Sequence, residues 1–237
     1  MKRILFLIFL VSPFAAAAQQ LSYDEFEKLA TQNKALLPKY GYLPKSEEEK
    51  KADEEFIKTV LDRDSTNRKG SDHLISLGFK YLYRDIKTAM YRFNQAYLLD
   101  SNNVDIYWGY GAVYLTLGNY AKAEQQYRQG LAIDPKSTHL LTDYGTYFMA
   151  QYYGLKPVAE KDAARNLDSA ITYMTRSYAI DPRDQNTLFK LSVCYWNRDE
   201  CENAWKYYDE CVALGGQPIT EDYTKDLKKK CKRKNPK

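Results

Sequence analysis

Histidine is nearly missing from this chain, with only His73 and His139 among 237 residues. Cysteine is confined to positions 194, 201, 211 and 231. Together these shortages argue against a metal centre, because the cysteines do not form the close C-x₂₋₄-C pairs of a zinc site. They also leave catalysis without its commonest base, since neither histidine belongs to a motif that ties it to a cysteine or serine nucleophile. No glycine-rich phosphate loop is present: Gly109-Tyr110-Gly111 lacks a third glycine and follows no strand pattern. The acidic runs Asp24-Glu25 and Glu47-Glu48-Glu49 fall at helix starts, where carboxylates complement the helix dipole. The residues therefore predict no enzyme, no cofactor and no metal.

An excess of one charge is lacking too. The chain has 35 Lys and Arg against 31 Asp and Glu, a formal net charge of +4, and losing Lys2 and Arg3 would lower it by two. Bulk charge thus gives no reason to expect nucleic-acid binding. The one strong apolar run lies at the start, where Lys2-Arg3, Ile4–Val11, Ser12-Pro13 and Ala15–Ala18 have the order of a secretory signal peptide with cleavage before Gln19. A short membrane anchor is the alternative, but Ile4–Ala18 falls short of the roughly 20 apolar residues that span a bilayer. With no cysteine near the cleavage point, a lipid anchor is not supported. The expectation is an exported bacterial protein, periplasmic or extracellular, with no transmembrane segment after residue 18.

What the chain does have is 22 tyrosines and a recurring pattern. It is clearest between Val104 and Ser137. Tyr107, Tyr110, Gly111 and Tyr114 fall on one stripe of a 3.6-residue helix, and Tyr120, Ala123, Tyr127, Gly130 and Leu131 on a second. Between them, Gly118 can take the positive φ of a tight turn, and Pro135 ends the unit. The small residues Gly111 and Ala123 mark where the two helices approach most closely.

This pattern resembles the tetratricopeptide repeat, a helix pair of about 34 residues. The same template can be laid over residues 71–103, 138–184 and 185–217, giving four units with 104–137. The third is the longest: its extra residues lie around Tyr153–Arg165, and its second helix is expected to run from about Val158 to Ile180. The resemblance implies an all-α, right-handed superhelical solenoid of antiparallel helix pairs.

Residues 19–70 read as a helical leader. Ser22 with Glu25 and Ser46 with Glu49 open two helices, about Ser22–Leu37 and Ser46–Leu61, with capping-box spacing. Whether the leader covers the first unit or folds into the groove is open. Residues 218–237 read as a capping helix, about Ile219–Lys232, with a basic tail whose lysines suit a helix C-terminus. In an oxidising compartment the four cysteines suggest two disulfides. Cys201 could face Cys231, or Cys194 could reach Cys201, while Cys211 occupies a position suited to a buried free thiol.

The resemblance also implies a partner-binding concave face formed by the first helix of each unit. Carried over position by position, its larger groove residues are Ile75, Phe79, Tyr83, Trp108, Leu115, Thr142, Met149, Phe189 and Trp196. This set is unusually apolar, and the Lys and Asn positions with which some relatives clamp a C-terminal carboxylate hold other residues here. The expected function is a non-catalytic scaffold or adaptor in the cell envelope that binds a protein or peptide partner. A self-associating structural subunit is the alternative.

Overall fold

The structure, a computed structural model, describes residues 21–233, and both the signal-peptide pattern at 1–18 and the last lysines, Lys234 and Lys237, lie outside the described residues. Within that range the chain is all-helical. Its helices are α1 (Tyr23–Gln32), α2 (Glu47–Asp64), α3 (Asn67–Tyr81), α4 (Ile86–Leu99), α5 (Asp105–Thr116), α6 (Tyr120–Ile133), α7 (Thr138–Leu155), α8 (Glu160–Ile180), α9 (Gln185–Asn197), α10 (Cys201–Ala213) and α11 (Glu221–Lys230). From α3 onward the helices pair as α3/α4, α5/α6, α7/α8 and α9/α10, and α3, α5, α7 and α9 also touch in succession. The first helices thus form one side of a solenoid.

The template residues make the pairing possible. An added Cβ at Gly111 would lie 2.4 Å from the Tyr127 ring, so this aromatic side chain of α6 packs directly on the α5 backbone. Ala123 and Tyr127 are fully buried. Gly118 turns the chain with φ +74°, and the Asn119 side chain then caps α6.

The third unit lengthens both of its helices. Its insertion extends α7 to Leu155, and α8 starts at Glu160, two residues later than the pattern suggests. At about 1.5 Å per residue, α8 is roughly 31 Å long. The hairpin is not free at its tip. Asn197 of α9 accepts a hydrogen bond from the Tyr152 hydroxyl at 3.3 Å and donates one to Tyr153 at 2.9 Å.

Both leader capping boxes form as their spacing predicts. The first helix is shorter than expected, because Asn33 leaves the helical region and caps a separate 3₁₀ turn, Lys34–Leu36. A second turn, Pro38–Tyr42, contains left-handed residues, with φ between 54° and 64° from Lys39 to Tyr42. Such φ values disfavour residues that carry a Cβ. Asn94 of α4 holds the segment in place: its amide donates to the Ala35 and Leu37 carbonyls at 2.7 and 2.9 Å, and its oxygen accepts from the Lys39 amide and the Tyr110 hydroxyl at 2.8 and 2.6 Å. α1 is tied to α6 by Lys122 and Glu27 at 3.0 Å. The leader therefore runs over the second helices of the first two units, and α2 packs on α3.

Candidate functional site

The concave side holds a groove of about 1150 Å³. One wall is apolar: Phe79 near the end of α3, Leu82 and Tyr83 just beyond it, and Trp108, Ala112 and Leu115 of α5. The polar part of the lining comes from the starts of α7 and α9 and the loops around them: Thr138, His139, Asp143, Asp181, Arg183, Asp184, Asn186 and Lys190. Gln217 and Pro218, just before α11, close one end. No described leader residue lines it.

A linked set of side chains fixes the floor. The Trp108 ring centroid lies 3.9 Å from that of Phe79 and 4.4 Å from that of His139. Two rings so close cannot share one face, so the indole is sandwiched between residues of α3 and α7. Its Nε1 donates to Asp143 Oδ2 at 2.6 Å, and Asp143 Oδ1 in turn accepts from Lys190 at 3.3 Å. His139 Nδ1 lies 3.1 Å from Asp105 Oδ2, a contact that raises the imidazole pKa above its ordinary value. One connected group of residues thus couples the first helices of all four units. Tyr83, 78% exposed, is the most accessible large side chain on the apolar wall.

The sequence-derived groove residues divide into three sets. Phe79, Tyr83, Trp108, Leu115 and Thr142 meet in the groove, although Trp108 presents little free surface because both of its faces are occupied. Thr142 is only 5% exposed, and its hydroxyl bonds Ser177 at 2.9 Å and Thr187 at 2.6 Å, which joins α7, α8 and α9. Ile75 is also 5% exposed and belongs to the core. Met149 packs half-buried in the core of the third and fourth units. Phe189 and Trp196 lie under α11, edge-on to Tyr223 at centroid distances of 5.4 and 6.2 Å. The apolar stripe does not run the length of the solenoid, because its last part has a cover of its own.

The polar loop residues Asp181, Arg183 and Asp184 were not among the candidates. The template reads the Asp181-Pro182 step only as the end of a unit, and nothing in the pattern shows that the loop reaches the groove. Of the cysteines, Cys201 and Cys231 are bonded, while Cys194 and Cys211 are buried free thiols. The expected second disulfide is absent: Cys194 packs against Met174 and Cys211 against the Gln185 carbonyl. Among the described residues there is no cluster able to hold a metal ion, and no helix is long and apolar enough to cross a membrane.

Comparison with known proteins supports the same fold. Residues 82–142 match the family model of the tetratricopeptide repeat. A solved thermophilic TPR protein from Thermus thermophilus is similar with a TM-score of 0.56 at 16% identity, over 68% of this chain and 80% of that one. The pilF protein of Pseudomonas aeruginosa is similar with a TM-score of 0.53 at 18% identity, over 68% of this chain and 67% of that one. No curated protein matches the chain. At such identities the likeness is one of fold. A template legible in the residues is thus met by a family model at residues 82–142, and by solenoids that share little sequence with the chain, so the protein carries tetratricopeptide repeats in a solenoid of that fold.

Proposed function

We propose that the chain is a non-catalytic scaffold or adaptor of a bacterial cell envelope, which holds a protein or peptide partner in the concave groove. Solenoids of this kind offer extended concave surfaces to other macromolecules. The observation that carries the reading is the groove itself, lined from α3, α5 and α7 by apolar side chains with polar ones beside them. That combination suits a peptide segment whose side chains pack on Phe79, Tyr83 and Leu115 while its backbone amides find polar partners beside them. Export is supported by the signal-like pattern at residues 1–18 and by the Cys201–Cys231 bond, which is at home in an oxidising compartment.

The test is site-specific photo-crosslinking in cells. A crosslinker at Tyr83 or Thr116 in the groove is expected to give discrete protein adducts. One at Ile133 or Val212, exposed on second helices, is expected to give none of the same adducts. Adducts from the second-helix positions alone would sink the groove as the partner site.

A further inference from the structure

The fourth unit ends under a helix too polar to be held by packing alone. α11 has 10 residues and one buried apolar side chain, Leu227. Isolated helices of this length are marginal in water. Its other ties are polar and aromatic contacts at the surface: Thr224 with the Tyr208 hydroxyl at 3.0 Å, Lys230 with Asp199 at 2.7 Å and with the Trp196 carbonyl at 2.6 Å, and Tyr223 edge-on to Phe189 and Trp196. The disulfide joins Cys231, the C-cap of α11, to Cys201, the first residue of α10. Trp205 Nε1 donates to the Cys231 carbonyl at 2.7 Å, and the Tyr223 and Ser192 hydroxyls pair at 2.6 Å. Beneath the helix, Trp196 Nε1 is buried with no acceptor among the described residues. Lifting α11 would let water satisfy that donor. The connection to α10 passes through Gly215 and Gly216, both at positive φ.

We propose that α11 is a redox-released cap: a dithiol reductant that cleaves Cys201–Cys231 frees the helix about Gly215-Gly216 and uncovers Phe189, Trp196 and Trp205. Cys231 is buried and Cys201 half-exposed, so attack comes at the Cys201 sulfur. The reductant thiolate bonds to Cys201 Sγ, the S–S bond breaks, and the electron pair leaves on Cys231 Sγ, which takes a proton. The reductant's second thiol then displaces Cys201 as a thiol. The protein gains two electrons and two protons, and the reductant departs as its disulfide. The remaining thiols do not compete, because burial pushes Cys194 up to about 12 and raises Cys211. Phe189 and Trp196 hold groove positions of the template, so the opened form has a longer groove. That consequence rests on the partner reading above, whereas release of the helix does not.

Hydrogen exchange of the full chain, before and after dithiothreitol and in a Cys201→Ser, Cys231→Ser variant, tests the proposal. Exchange at residues 221–230 is expected to accelerate at least tenfold on reduction and in the variant, while α3–α9 keep their protection. Unchanged protection of α11 after reduction would overturn the proposal. So would loss of protection across α9 and α10 together, which would make the bond a staple of the whole unit. Crosslinking from Tyr83 in both redox states reports the groove separately, so failure of either idea leaves the other standing.

Discussion

Trp108 and Trp196 stand on first helices two units apart, both at template groove positions, and their surroundings are opposite. Trp108 is stacked between two rings with its Nε1 bonded to Asp143, and it forms part of an open groove. Trp196 lies beneath α11 with its Nε1 unsatisfied and the Lys230 ammonium 4.7 Å from its ring. The repeat template specifies which way a first-helix side chain points. What it meets there is decided by what packs next to it, and the fourth unit is followed by a short polar helix with a covalent tie. One region is a finished surface and the other a covered one.

Equivalent truncations in the two regions should therefore behave differently. Phe93 is fully buried between α4 and the first helices α3 and α5. Phe93→Ala is expected to lower global stability by about 3–5 kcal/mol, measured by denaturant unfolding. Leu227 is equally buried, yet it belongs to a small separate cluster with Ala204, Trp205 and Cys231. Leu227→Ala is expected to shift the main transition by no more than about 1 kcal/mol, because opening of α11 is a local event with its own smaller free energy. Equal shifts in the two variants would dissolve the distinction between finished and covered regions.

Thr142 sharpens the comparison within the open region. It lines the groove by position but spends its hydroxyl on Ser177 and Thr187. Thr142→Val keeps the shape and removes both hydrogen bonds, while Ser177 keeps the Thr138 carbonyl and Thr187 keeps Asp184 as partners, so a stability loss of about 1 kcal/mol is expected. Crosslinking from Tyr83 should be unaffected. Loss of adducts in a variant that remains folded would return Thr142 to the partner surface.

The elements that were legible in the sequence are those set by short-range chemistry. Ser22/Glu25 and Ser46/Glu49 announce two helix starts, and Gly111 with Ala123 announces a close helix pair. The leader's path was not legible, since it depends on one buried amide, Asn94, and on left-handed residues at Lys39, Tyr40 and Tyr42, types that carry no signal for that conformation. Nor was the fate of the groove stripe. Ile75 and Phe79 follow the same template, yet Ile75 is core and Phe79 is half-buried at the groove. Only the packing of whole helices separates them.

The smallest expected effect tests whether the groove floor is one connected piece. Asp105 raises the His139 pKa in the folded state, so protonated His139 is favoured by folding. The stabilisation should be fully present below the unfolded value of about 6.5 and be lost as pH rises through the raised folded value. The imidazole side chain is 54% exposed, so solvent screens the pair and the effect should be no more than about 1 kcal/mol. Unfolding midpoints of the wild type and His139→Gln, compared near pH 5.5 and near pH 8.5 on either side of the titration, should differ more at the lower pH. Tryptophan emission should change over the same range, because the ring stacked on His139 is Trp108. A pH-independent difference between the two proteins would mean that His139 contributes shape to the floor and its charge contributes nothing.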